Sequence, residues 1–368
     1  MDTTTPTPTP TTVVTNNQYD KELEDLLSTV LKEGASDLHL SEGRHPFVRV
    51  AGSLIPLAKK QVLTAEYMKS FVAEFLTPDN RARLERDKQA DFSYSFTDVR
   101  FRGNIFYKQG MLSIALRLIP KKIFSLTELN LPPILETFTR KRQGFFLAVG
   151  PIGQGKTTTL ASMIEIINQT RAEHILTIED PIEFMYESKL SIIDQREVLT
   201  DTPTFNSAMV SMFREDINVC LVGEMRDNET MSTAVTAAET GHLIFSTLHT
   251  NNAAQTINRI IDAFPPAQQD QIRVQLAGSL TGIFSQRLIP RISGGLIPAY
   301  ELLINNNAVA NLIRERRIHE VDTVIETSSG EGMIDMNRSL AELVRRGDIS
   351  VENAYLNSLN PKNLERMM

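Results

Sequence analysis

Intramolecular disulfides and cysteine metal clusters are excluded first, because the 368-residue chain has a single cysteine, Cys220. That usage fits a reducing compartment. Long apolar runs are missing too: nothing approaches the ~18 residues of a membrane span, and no basic-then-apolar amino terminus marks a secretory signal. The expected location is therefore cytoplasmic, with any membrane association running through a protein partner and no direct membrane span. Nor is there an excess of positive charge. With 38 Lys plus Arg against 45 Asp plus Glu, the net charge of −7 argues against a strongly basic nucleic-acid binder, so no nucleic-acid partner is expected. What is present is a globular composition, 41% hydrophobic and 23% charged, and a length that suits two domains.

Met1 to Thr15 is almost entirely Thr and Pro, with no apolar face to bury, and is expected to stay extended or disordered. From Lys21 the pattern changes. Leu23, Leu26, Leu27, Val30 and Leu31 recur at helical spacing and Gly34 follows as a C′ residue, so an amphipathic helix is expected. Alternating segments follow at Ser36 to Leu40, Phe47 to Val50, Phe92 to Phe96 and Phe101 to Tyr107, and these read as strands of a mixed sheet. Proline-flanked Pro120 to Pro133 reads as an interdomain linker. Beyond it, four short apolar runs alternate with helical stretches: Phe145 to Val149, Ile175 to Ile178, Val219 to Val222 and Leu243 to Phe245. The fold class is α/β with a parallel sheet, and ligands of such sheets bind outside the carboxyl ends of the strands. After Pro265 the chain reads as mainly helical, with a polar turn at Ser293-Gly294-Gly295.

The chemistry concentrates at those strand ends. Gly150-Pro151-Ile152-Gly153-Gln154-Gly155-Lys156-Thr157 fits G-x-x-x-x-G-K-[ST], after an apolar strand and before a helix beginning at Thr158. In such a loop backbone N–H groups approach phosphates, Lys156 reaches the β and γ phosphates of ATP, and the Thr157 hydroxyl takes a place on Mg²⁺. Glu179-Asp180-Pro181-Ile182-Glu183 follows the second strand and brings three carboxylates to the same end, where they either hold metal-bound or attacking water or cap a turn. The third strand runs into Gly223-Glu224-Met225-Arg226-Asp227, which makes Glu224 the leading catalytic residue and a second acid at the metal. Gly223 stands where an acid usually precedes it, so that Mg²⁺ contact must come through water or from elsewhere. His242 and His249 bracket the fourth strand. His249 either reports the γ phosphate or links neighbouring elements, and His242 leans towards the structural role. In the first domain Arg100, Arg102 and Arg117 are either surface charges or candidates to reach a phosphate.

With these motifs the chain resembles the PilT family of type IV pilus retraction ATPases, within the larger secretion-ATPase superfamily, from about Lys21 to Asn357. Ser36 to Leu40, the phosphate loop, the Asp-box-like Thr177 to Phe184, Gln195 to Val198, Arg214 to Asp216, the Walker-B-like Val222 to Asp227, and the His-box-like stretch Ala237 to Thr250 all carry the likeness. The resemblance implies a PAS-like α+β domain at 19–120 after a tail at 1–18, a linker at 121–133, a RecA-like P-loop ATPase core at 134–290 and a mainly helical region at 291–368. It implies a homohexamer, an inner-membrane PilC-like platform protein as partner, a paralogous retraction ATPase as auxiliary, and a peripheral place at the inner face of the cytoplasmic membrane. It gives Glu183 and Glu224 the acidic catalytic roles, and Arg102 and Arg117 those of arginines reaching nucleotide. In one departure, Ala310 stands in Ala308 to Glu315 where the family carries an arginine associated with retraction.

The function expected is thus a Mg²⁺-dependent ATPase motor for pilus retraction. The rivals are a pilus-assembly, type II secretion or accessory PilU-like motor of the same superfamily, a ring motor on nucleic acid, and a nucleotide-sensing module.

Overall fold

The computed structural model describes residues 17–50, 52–97, 99–119 and 122–368, so the Thr/Pro-rich segment lies outside the described residues. The chain divides into two compact units, Met1–Pro120 and Lys121–Met368.

In the first unit the amphipathic helix spans Asn17–Lys32. Leu23, Leu26, Leu27 and Val30 are buried, and Gly34 adopts a φ of +59° just beyond the helix end. The strands are β1 (Asp37–Ser41), β2 (Phe47–Val50), β3 (Ser53–Pro56), β4 (Gln89–Phe96), β5 (Val99–Lys108) and β6 (Met111–Ile119), in the order β3-β2-β1-β6-β5-β4. Every described pairing among them is antiparallel, which corrects the expected mixed sheet. Alternation explains β5: Phe101, Gly103 and Ile105 face the core while Arg102 points out. Gly103 is fixed by its neighbour, because a Cβ there would lie 2.1 Å from the Phe92 ring.

The second unit is built on seven strands: β7 (Gly144–Val149), β8 (His174–Glu179), β9 (Ile192–Glu197), β10 (Val219–Val222), β11 (Leu243–Leu248), β12 (Leu280–Pro290) and β13 (Leu296–Ile304). Their order is β13-β12-β7-β11-β10-β8-β9. All neighbours are parallel except β12 and β13. Both faces of β7 are covered, with Phe145, Leu147 and Val149 in one core and Phe146 and Ala148 in the other. The registers set Val149 beside Leu248, Ser246 beside Val222 and Val222 beside Ile178, so four strand ends reach one edge together.

The stretch after Pro265 is mainly helical, with one interruption: between the helix Pro266–Ser279 and the helices that begin at Asn307 comes the β12–β13 hairpin, turning at Gly294 and Gly295 with φ of +90° and +78°. Strand pairing therefore crosses the expected boundary at 290/291. The strands were hidden because β12 and β13 are buried along most of their length and bury polar residues too, Ser285, Gln286 and Glu301, so they lack the alternation that marks a half-exposed strand. The expected linker also contributes to packing, since Leu126 and Leu131 are buried in the core of the second unit. Among the described residues no helix is long and apolar enough to cross a membrane.

Glu301 of β13 is a buried carboxyl that accepts the Ala253 N–H at 2.7 Å, at the start of the helix Ala253–Asp262. Burial pushes it up to about 8, against the pull of that N–H. A raised acid favours the protonated folded state, so its contribution falls as pH rises from the unfolded value near 4.5 to about 8. Glu301→Gln keeps the acceptor and removes the titration. The unfolding free energy of the variant, from denaturant titration, should gain on the parent across that window, by up to about 1.4 kcal/mol per pH unit; parallel curves would contradict the assignment.

Candidate functional site

Gly150 to Thr157 connects β7 to the helix Lys156–Thr170. Three of its glycines hold positive φ, Gly150 at +143°, Gly153 at +77° and Gly155 at +79°, which side-chain-bearing residues rarely adopt. Gly150 meets a second limit, because a Cβ there would lie 2.4 Å from the carbonyl oxygen of Gln286 on β12. The loop bends around the helix N-terminus, whose unpaired N–H groups and dipole favour an anion. Beside it opens a cavity of about 460 Å³, lined by Ile152 to Thr158 and by the ends of β8, β10 and β11.

Lys156 is only 6% exposed. Its Nζ donates to the carbonyl oxygens of Gly150 and Pro151 at 2.7 and 2.9 Å, and to Nδ1 of His249 at 3.2 Å. Burial pulls its pKa down to about 8, while the negative charges of Glu224 and Glu183 oppose the shift. An ammonium offers only donors, so Nδ1 of His249 accepts and its proton sits on Nε2, 3.4 Å from Glu224 Oε1. Burial, then the Lys156 charge, hold His249 below the usual imidazole range, which keeps it neutral near pH 7. The other oxygen of Glu224 accepts from Arg226 Nε at 3.0 Å, and Arg226 also reaches Asp180 at 3.5 Å. Lysine, histidine, glutamate and arginine thus form one chain across three strand ends.

Glu179 is buried and used locally. Its oxygens accept from the Thr177 hydroxyl at 2.7 Å and the Glu183 N–H at 3.1 Å, fixing the turn that brings Glu183 to the cavity. Burial raises its pKa to about 7, against those hydrogen bonds. Gly223 is closely packed: its N–H donates to Ile178 O at 2.8 Å, and a Cβ would stand 3.3 Å from that oxygen. Thr247 binds the Gly223 carbonyl at 2.6 Å and holds β11 to β10 at this edge.

The structure therefore gathers the phosphate loop, Glu179, Glu183, Glu224 and His249 around one cavity. Arg102 and Arg117 belong to the first unit, opposite each other on β5 and β6, with Arg117 Nε donating to Asp37 Oδ1 at 2.9 Å. His242 binds the Ala237 carbonyl at 3.1 Å and meets Phe213 edge-on, a structural setting. Ala310 is buried on the helix Asn307–Arg314. Sequence reasoning passed over Phe205 and Leu288, which also line the cavity, and Gln286, which backs the loop. Each arrives from outside the motifs, Gln286 and Leu288 through the register of β12 and Phe205 from the start of the helix Phe205–Met212, and nothing in its local sequence announces it.

Over residues 15–342 the chain matches the family described as Type II/IV secretion system protein. It belongs to this family. The type IV pilus retractation ATPase PilT of Pseudomonas aeruginosa is 42% identical over 348 residues, covering 93% of this chain and 99% of that protein. The twitching motility protein of Neisseria gonorrhoeae is 42% identical over 321 residues, covering 87% and 86%. A crystal structure of the pilus retraction motor PilT with bound ADP superposes with a TM-score of 0.88 at 44% identity, covering 94% of this chain and 99% of that one. The protein is an ATPase of the PilT type, with the α/β fold of that motor.

The glycine constraints give a direct check. Gly150→Ala combines a disfavoured φ with a backbone collision and should cost about 1–3 kcal/mol in denaturant unfolding. A variant as stable as the parent would show that the loop is not held against β12.

Proposed function

We propose that this protein is a Mg²⁺-dependent, homohexameric ATPase that powers type IV pilus retraction by moving an inner-membrane PilC-like platform protein from the cytoplasmic face. The observation that carries the reading is the phosphate loop joined to Glu224 through Lys156 and His249 at the edge of the parallel sheet. A nucleotide seated there places its β and γ phosphates over the loop N–H groups, and Lys156 turns from the Gly150 and Pro151 carbonyls to the phosphates. Glu224 orients the attacking water and takes its proton as the water oxygen bonds to the γ phosphorus and the bond to the bridging oxygen breaks, leaving ADP and phosphate. Arg226 and His249 hold the two carboxylate oxygens of Glu224 in place for this step.

Mg²⁺ fits the donor set. The cavity offers the Thr157 hydroxyl and the acids Glu179, Glu183 and Glu224, without the all-protein cage that this ion seldom uses. Thr157 and Glu224 are the residues that would hold the metal. Glu179 contributes by shaping the turn, because both its oxygens already accept hydrogen bonds. When bound, the ion neutralises charge developing on the phosphates. Glu183 adds negative potential beside Lys156, and Arg102 and Arg117 serve nucleotide from the PAS-like unit within the ring. A paralogous retraction ATPase acts as auxiliary on the same pilus machine.

Lys156→Ala should lose nucleotide binding. Glu224→Gln should bind ATP with near-parental affinity and release phosphate about a hundredfold or more slowly. In the source bacterium, deletion of the gene should leave pili extended and stop retraction, and neither variant should restore it. Normal turnover by Glu224→Gln would remove the catalytic assignment, and loss of pili on deletion would indicate assembly in place of retraction.

A further inference from the structure

β12 is the strand beyond the phosphate loop on the side away from β11, and it was invisible in the sequence pattern. Its register places Ser285 beside Val149, so Gln286 stands level with the point where β7 becomes the loop. Gln286 is 3% exposed and both ends of its amide are engaged. Oε1 accepts from the Thr159 hydroxyl at 2.6 Å, and Nε2 donates to the Gln154 carbonyl at 2.8 Å. The loop answers in the opposite direction, with Gln154 Oε1 accepting the Leu288 N–H at 2.6 Å. Two crossed bonds therefore tie the middle of the loop to β12, while Thr159 ties in the first turns of the following helix.

The packing leaves little freedom around this brace. A Cβ at Gly155 would lie 3.0 Å from Gln286 Nε2, and one at Gly150 would meet the Gln286 carbonyl. A planar amide of this length supplies a donor to Gln154 and an acceptor to Thr159 at once. A buried group with both partners satisfied holds a geometry, and removing one partner leaves the other unpaired.

We propose that Gln286 is a positioning residue for the nucleotide: it fixes the curvature of the phosphate loop so that the loop N–H groups are aimed before the phosphates arrive. It touches neither the phosphates nor the attacking water, so its effect falls on nucleotide affinity and KM, with little on kcat. This rests on the nucleotide-binding reading of the same site.

The test titrates a fluorescent ADP analogue against the full chain, Gln286→Met and Gln286→Glu, with Lys156→Ala as reference, and records thermal melting of each. Gln286→Met keeps the bulk and loses both bonds, and should bind about tenfold more weakly with kcat within about twofold. Gln286→Glu turns an oxygen towards the Gln154 carbonyl, and should bind weakly at pH 8 and recover towards the parent by pH 6, where a protonated carboxyl again donates. A merely structural role would lower melting without that pH-dependent recovery. If Gln286→Met does not fold, Gln286→Glu carries the test alone. Binding within twofold of the parent by the folded variants, or a deficit in Gln286→Glu that does not change with pH, overturns the proposal. Absence of binding by the parent chain overturns the underlying nucleotide reading instead.

Discussion

A buried ammonium organises the nucleotide site. Lys156 lies at the first helical position after the loop, almost wholly removed from water, and three acceptors compensate it: two carbonyls of its own loop and one imidazole nitrogen. An unpaired charge in that position would be prohibitive, so the loop must curl back to present those carbonyls. The curl requires glycine at Gly150, Gly153 and Gly155, and in turn a strand close enough to hold it. The same lysine decides the tautomer of His249, and that tautomer directs an N–H at Glu224. Acid, base and phosphate receptor are thus linked through one side chain, and phosphates arriving over the loop compete with carbonyls that bind the ammonium less strongly than a multiply charged anion does.

The parallel sheet supplies the frame for this arrangement. Because β7, β8, β10 and β11 end at one level, residues from three sequence-distant motifs come within hydrogen-bond reach. Gly223 shows how tight the frame is: its backbone docks on β8 with no room for an unhindered side chain, so Glu224 is the first residue after β10 able to project an acid into the cavity.

Much of this was legible in the sequence because the decisive pieces are contiguous. The phosphate loop, Glu179 to Glu183 and Glu224 each follow a short apolar run, and a strand covered on both faces produces such a run. Burial of polar residues hid β12 and β13, because Ser285, Gln286 and Glu301 break the apolar pattern and the strands follow a true helix. With them went Gln286 and Leu288, which reach the loop through register alone. In the first unit β6 escaped notice although Leu112, Ile114 and Leu116 all face its core. Ser113, lying between them, is buried as well, which blurs the alternation expected of a half-exposed strand. The family likeness compensated for these gaps in function, since the motifs that carry it line the cavity, and the relatives match nearly the whole chain.

The central claim is that phosphates take Lys156 over from its own loop. A structure of the protein with Mg²⁺ and a non-hydrolysable ATP analogue tests it most directly. The account predicts Lys156 Nζ within about 3 Å of β and γ phosphate oxygens, withdrawn from the Gly150 and Pro151 carbonyls, with the loop still braced on β12. Nucleotide bound elsewhere, or in the cavity with the ammonium still on those two carbonyls, would contradict it.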